Sequence, residues 1–336
     1  MDFTPAVVEA SAPTRVDLAG GTLDLWPIYL FHPGAITVNV AIDRRASCRA
    51  ETGNQGVQIE SKDTLARTEG RDLAEVFAQG TLLLPAFILR ALGIETGIRL
   101  TLHSRVPAGS GLGGSSALAV AIAAAAAAAV GRPLPSDELW PLVRDAEAQA
   151  IGVPTGVQDY LAAIHGGVIA VHLEPGRLRV ERLATDPTRV EECLVVVDAG
   201  ATRFSGVNNW DVFKAQVDAS EPVRRHLAEI AAAARQLRGH LVEQRYAEVA
   251  GALAAEWAAR QQLAPGVTTP EIDRIAEIAA AAGCAAKVCG AGGGGMVCVW
   301  APLGRRESVS RALREAGFGL PGFRLDLRGL DVERLD

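Results

Sequence analysis

The sequence predicts an α+β protein of two domains that divide near residue 185. Three observations predict it. Strand and helix patterns are mixed along the chain without the steady alternation of a doubly wound sheet. A length of 336 residues suits about two domains. A glycine-rich stretch at 107–116 stands between a strand pattern and an alanine-rich helix former, and a second follows at 290–295. With 49% hydrophobic and 21% charged residues, the chain has the balance of a folded globular protein.

Taken in order, residues 6–18 alternate weakly and stop at a turn formed by Gly20 and Gly21. Residues 35–42 (AITVNVAI) and 46–50 read as two strands joined through Asp43 and Arg44, and 57–61 as a third. Residues 73–92 carry helical signals, with Pro85 expected to break them into two pieces. Residues 98–106 read as a strand feeding the first glycine loop. From Ala117 the alanine run is a strong helix former whose small side chains permit close packing. A helix over 137–150 has Ser136 as its N-cap and Gly152 as its stop. Strands follow at 168–173, 177–183 and 193–198, the first two joined by Glu174, Pro175 and Gly176. The C-terminal half predicts helices over 221–237, 241–263, 271–282 and 305–316, with strands over 296–300 and 323–327.

The loop at 107–116 carries the most chemistry. Its glycines permit positive φ, so successive backbone N–H groups can converge on an anion, and the following helix points its positive end there. The hydroxyls of Ser115 and Ser116 stand where that helix starts, within reach of a phosphate oxygen or a metal. No Lys follows the glycines, so this is not a Walker A loop. Gly109, Gly111 and Gly114 satisfy GxGxxG, but a dinucleotide site needs an acidic residue about 20 positions on, where Pro133 and Pro135 flank a loop instead.

Bulk properties exclude other classes. A net charge of −6 without like-charge runs argues against a nucleic-acid face. Five scattered cysteines without a CxxC pair suit free thiols in a reducing compartment, and the expectation is a cytoplasmic protein. No signal-peptide pattern opens the chain, and the apolar run at 117–130 is too short and too alanine-rich to span a bilayer.

Residues 107–117 (PAGSGLGGSSA) resemble the phosphate-binding signature of the GHMP kinases, with one glycine more than the family's GLGSSA. Two further motifs stand in the family's order, so the resemblance spans nearly the whole chain. It implies a ribosomal protein S5 domain 2-like N-terminal domain over 1–185 and a ferredoxin-like C-terminal domain over 186–336. It implies ATP on Pro107, Gly109, Ser110, Gly111, Leu112, Gly113, Gly114, Ser115 and Ser116, and Mg²⁺ on Ser116 and Glu147. Residues 13–25 (PTRVDLAGGTLDL) resemble the sugar-kinase motif, which places Arg15 beside the reacting hydroxyl and Asp24 on the acceptor's hydroxyls. Galactokinases carry Glu-His where Gly21 and Thr22 stand here; the AGG form is closer to heptose-7-phosphate kinases and fucokinases. Residues 152–167 (GVPTGVQDYLAAIHGG) match the catalytic segment, making Asp159 the general base or electrostatic partner. The second glycine loop resembles the third motif and brings Gly292 and Gly293 to the acceptor side. Thr202, Arg203 and Ser205 lie on a loop similar to one that approaches the sugar, with Arg203 a candidate for a substrate phosphate. Trp26, Trp210 and the NNW turn at 208–210 are candidates to line the same pocket.

Read without the motifs, Arg15 is a surface or ion-paired arginine, Asp24 and Asp159 cap turns, and Glu147 is a solvated helix residue. The function the resemblance implies is phosphoryl transfer from Mg·ATP to a sugar or sugar phosphate, anomeric by analogy, in a monomer or homodimer without nucleic-acid or membrane partners. The alternatives are a mevalonate-type kinase and a catalytically silent ligand sensor.

Overall fold

A computed structural model describes residues 5–107, 109–200 and 206–335, with side chains from 210 onward in the last stretch. Thr202, Arg203 and Ser205 therefore lie outside the described residues. In chain order the elements are β1 (Val7–Ala19), β2 (Ile36–Thr52), β3 (Val57–Ser61), β4 (Arg67–Gly70), α1 (Leu73–Gln79), α2 (Leu83–Ala91) and β5 (Ile98–Ser104). Next come α3 (Gly114–Ala129), α4 (Ser136–Ile151), α5 (Gln158–His165), β6 (Val168–Glu174), β7 (Arg177–Arg182) and α6 (Pro187–Cys193). The remainder are β8 (Leu194–Asp198), α7 (Gly206–Val217), α8 (Glu221–Val242), α9 (Val249–Arg260), α10 (Pro270–Ala281), β9 (Ala285–Val288), β10 (Met296–Trp300), α11 (Arg306–Glu315) and β11 (Asp331–Arg334).

The first sheet has the order β11-β1-β2-β5-β3-β4, with β6 also paired to β2 and β7 to β6. Strand β2 is one continuous element rather than two. Its first half pairs with β6 (Ile36↔His172) and its second with β5 (Thr52↔Ile98), so it bridges two branches of one sheet. Helix α3 packs on β1 and β2, and alanines fill most of its buried positions. Methyl side chains are what let a helix lie this close to a sheet. The second sheet is antiparallel, β8-β10-β9. A continuous core joins the two: Val16, Leu18 and Val38 from the first sheet meet Val196, Cys298 and Trp300 from the second.

Several expected elements differ for local physical reasons. The break in 73–92 falls at Gly80, whose φ of 68° ends α1; Pro85 sits in the first turn of α2, where its missing N–H costs nothing. Ser136 is the first helical residue of α4, with no side-chain cap made, while Gly152 closes that helix as predicted. Helix α8 runs through the gap expected at 238–240 to Val242, and the break falls between α8 and α9, where Gln244 takes a φ of 55°, so the helix expected over 241–263 is reduced to α9. Residues 208–210 lie in α7 instead of a turn, and α5 was not anticipated. Residues 323–327 form only a bridge from Leu325 to Ile42, made by the Asp43 and Asp326 amides, because the Arg324 and Leu325 amides go to the side chains of Asp43 and Glu191 instead of a strand. The last strand is β11, which pairs with β1 and returns the chain to the first sheet. No helix among the described residues is long and apolar enough to cross a membrane.

Candidate active site

The site lies where the end of β1, the starts of α3 and α5, the C-terminal turn of α4 and the loop after β9 converge on a cavity of about 320 Å³. Gly109, Gly111 and Gly113 have φ of 74°, 79° and 72°, and this alternation of left-handed residues curls the loop into a nest. A Cβ on Gly111 would stand 2.3 Å from the Cys289 carbonyl oxygen, so the loop presses against the second glycine loop with no room for a side chain. The Met296 N–H donates to the Ser110 carbonyl at 2.8 Å and locks that contact. The first-turn amides of Gly114, Ser115 and Ser116 have no protein acceptor among the described residues, and these orphan donors and the helix dipole favour an anion. Gly109, Ser110, Gly111, Gly113, Gly114, Ser115 and Ser116 line the cavity. Pro107 and Leu112 do not: Leu112 is buried behind the loop, and its carbonyl accepts the Arg15 N–H at 2.9 Å.

Strand β1 aims Arg15 into this loop. Its Nε and Nη2 both lie 2.7 Å from Asp159 Oδ1, and its Nη1 donates to the Gly111 carbonyl. Burial opposes the Arg15 charge, but the carboxylates of Asp159 and Asp17 outweigh it and raise the pKa. Asp159 occupies the first turn of α5, and its Oδ2 faces Gly113. One oxygen is thus held by the guanidinium, while the other makes no hydrogen bond among the described residues.

Asp24 is buried and also lines the cavity. Its Oδ2 accepts from the amides of Val157 (2.6 Å) and Gln158 (2.9 Å), capping α5 from outside. Only Oδ1 lacks a hydrogen bond among the described residues, so it is the oxygen left for the acceptor hydroxyls that the resemblance assigns to Asp24. Burial raises its pKa to about 6, against the two amides, with the charges of Asp159 and Asp17 pushing the same way. Gly156 must be glycine, since a Cβ would fall 2.1 Å from Asp24 Oδ2.

Glu147 is buried rather than solvated, on the cavity-facing side of α4. Its Oε2 accepts from Ser116 (2.9 Å) and Tyr160 (2.6 Å). Burial raises its pKa against those donors, and no Lys or Arg among the described residues pairs with it. A buried carboxylate beside hydroxyl oxygens, without a protein cation, is a hard-oxygen donor set suited to a divalent cation. No cluster of three or more acidic, His or Cys ligands exists among the described residues, so phosphates and water would supply the other positions.

Two glycine assignments shift by a few residues. Gly290 and Ala291 line the cavity, whereas Gly292 and Gly293 pack back onto Val267, whose carbonyl accepts the Gly293 N–H. Trp26 and Trp210 are not in the walls; both are exposed, and Trp210 stacks on Phe213. Reading the sequence singled out neither Gln158 nor Tyr160, although both lie inside the quoted catalytic segment. Asp17, Lys287 and the i,i+4 pair Glu256–Arg260 carry no signal of one another in the sequence, because they come from three separate elements, β1, β9 and α9.

Residues 79–167 match the family GHMP kinases N terminal domain, and residues 230–318 match GHMP kinases C terminal. A galactokinase from Mycobacterium tuberculosis is 29% identical over 92% of this chain and 93% of its own length. A D-glycero-alpha-D-manno-heptose 7-phosphate kinase from Campylobacter jejuni is 24% identical over 92% and 93%. A bifunctional fucokinase/GDP-fucose pyrophosphorylase from Arabidopsis thaliana is 25% identical over 93% of this chain, which spans only 31% of that longer protein. The fold matches a solved D-glycero-D-manno-heptose 1-phosphate kinase from Bacteroides thetaiotaomicron with a TM-score of 0.77 at 23% identity, over 98% and 99% of the two chains. The first family match contains the glycine nest, Glu147 and Asp159, the second contains the loop pressed against that nest, and on these two matches, which together take in more than half of its residues, the chain belongs to the GHMP kinases.

Proposed function

We propose that this chain is an ATP-dependent sugar kinase that transfers the γ-phosphate to a hydroxyl, the anomeric one, of a sugar or sugar phosphate such as a heptose 7-phosphate or a fucose-like sugar. The observation that carries the reading is the Arg15–Asp159 pair, fixed at the rim of an anion cradle with Asp24 in the same cavity. We also propose that the division near residue 185 separates an ATP-binding domain from a C-terminal domain, with β11 returning to the first.

The nest and the α3 N-terminus bind the phosphates. Ser116 and Glu147 are the groups that would hold Mg²⁺, which when bound neutralises phosphate charge. Asp159 Oδ2 accepts a hydrogen bond from the attacking hydroxyl and takes its proton as the new O–P bond forms and ADP leaves. Arg15 keeps Asp159 in place and balances charge on the transferring group. The three named relatives support a sugar acceptor. Galactose is disfavoured because Gly21 and Thr22 stand where galactokinases carry Glu-His, and position 21 has no room for that Glu: a Cβ there would lie 2.5 Å from Asp17 Oδ2 and 2.8 Å from Gln158 Nε2. A silent sensor would not need Arg15, Asp159, Glu147 and Ser116 gathered on one cavity.

The test is ADP release with Mg·ATP across free sugars, sugar phosphates and mevalonate. Acceptor-dependent ADP with a heptose 7-phosphate or L-fucose is expected. ADP with mevalonate alone would overturn the sugar assignment, and ATP binding without turnover on any acceptor would favour the sensor.

A further inference from the structure

Beneath the acceptor wall four ionisable side chains meet with almost no exposure to solvent. Lys287 Nζ on β9 lies 3.0 Å from Asp17 Oδ2 on β1 and 3.4 Å from Glu256 Oε1 on α9. Neither Asp17 oxygen makes a hydrogen bond of acceptable direction, so that contact is electrostatic. Arg260, one turn after Glu256, is bound to it through Nη2 at 2.6 Å and Nε at 3.1 Å. The same guanidinium crosses to the other domain, where Nη2 donates to the Gly21 carbonyl at 2.8 Å and Nη1 to Thr22 Oγ1 at 3.2 Å. Glu256 accepts the Gly20 N–H at 3.3 Å.

A buried ion cluster is weak evidence for stability, since apolar residues of similar volume often do as well. What this one does geometrically is specific. Gly21 and Thr22 line the cavity beside Asp24, and Thr22 holds a φ of 73°, a conformation unfavourable for a β-branched residue. No side chain of the first domain hydrogen-bonds the Gly21 carbonyl or Thr22 Oγ1 among the described residues. We propose that Arg260 is a positioning residue for the acceptor: from the C-terminal domain it fixes the Gly21–Thr22 wall in its strained form and so sets acceptor affinity without touching phosphate. The acceptor part of this rests on the kinase reading above.

Arg260→Lys keeps a positive charge opposite Glu256 but cannot fork onto both Gly21 and Thr22. With the acceptor probe that gives ADP, L-fucose or a heptose 7-phosphate, its KM should rise roughly tenfold while the Kd for a non-hydrolysable ATP analogue stays within about twofold. Thr22→Val removes only the Oγ1 contact and remains informative if the first variant fails to fold; part of the same KM rise is expected. The double variant should be no worse than Arg260→Lys alone, because one interaction is lost twice. An unchanged acceptor KM, equal loss of ATP affinity, or additive effects would overturn the proposal. A second readout needs no acceptor. The amides of Leu23 and Leu25, bonded to the carbonyls of Gly20 and Thr22, should exchange hydrogen about tenfold faster in either variant, with Ala117 unchanged. Wild-type exchange at those amides sinks the positioning role; faster exchange in a protein inactive on every sugar keeps it and removes the sugar reading.

Discussion

The two oxygens of Asp24 face different partners, one the amides that open α5 and the other the cavity. Because burial raises this carboxyl to about 6, the folded protein binds more protons than the unfolded chain between roughly pH 4 and 6. Its contribution to stability therefore falls as pH rises through that window, to a cost of about 3 kcal/mol above it. Function runs the other way, since the ionised form is the better cap and hydroxyl acceptor. Asp17, Asp159, Arg260 and Tyr29 all feel this charge. Acceptor kcat/KM should climb through about pH 6 in the wild type, and Asp24→Asn should flatten that limb while lowering kcat/KM above it. In urea titrations the stability of Asp24→Asn relative to wild type should grow from pH 5 to pH 8; a constant difference would remove the charge from the account. Asp159→Asn should cut kcat by orders of magnitude and leave ATP affinity nearly intact. Wild-type turnover in that variant would take Asp159 out of the chemistry.

At the scale of elements, the first glycine loop was legible because only a backbone cradle needs so many residues without a Cβ, and its path depends on them. Gly111→Ala adds a methyl 2.3 Å from the Cys289 carbonyl at a φ of 79°, so either the loop or the loop behind it must move. ATP affinity should fall by at least about tenfold. Gly176→Ala is the control: its φ of 80° carries the same strain, about 1 kcal/mol, but nothing lies within 4 Å. Equal ATP affinity in the two variants would show that the close approach is not what shapes the cradle. Helix α5 was hidden because it is short and bounded by Val157 and Gly166, neither a side-chain cap. Its cap is Asp24, supplied from 133 residues upstream, and local pattern cannot show a partner at that distance. Gln158 and Asp159 could be read as a motif, but not as the first turn of a helix aimed at the nest.

Across the whole molecule, the same limit governs the seam between the domains. The α+β class and the glycine cradle followed from hydrophobic patterning and glycine runs, which are local. The ion cluster did not, since Asp17 and Lys287 stand 270 residues apart and each reads alone as an ordinary charge. The return of β11 to β1 was equally invisible, because its four residues are exposed and largely charged, and register with β1 selects them instead of burial. The cluster makes a distinct prediction from the loop. Lys287→Met leaves Asp17 and Glu256 facing one another, with the buried Arg260 as the nearest cation, and should destabilise by about 3–5 kcal/mol. Asp17 is held below the usual carboxylate range because the charges of Lys287, Arg260 and Arg15 outweigh its burial, so removing Lys287 drives it to take up a proton. The Asp17→Leu/Lys287→Met double variant removes both ends of one pair and leaves the Glu256–Arg260 pair, with its contacts to Gly21 and Thr22, in place. It should recover most of the lost stability and keep acceptor KM near wild type, measured by denaturant unfolding and ADP release. A double variant as unstable as the single one would mean that the pair itself, rather than an uncompensated charge, holds the two domains together.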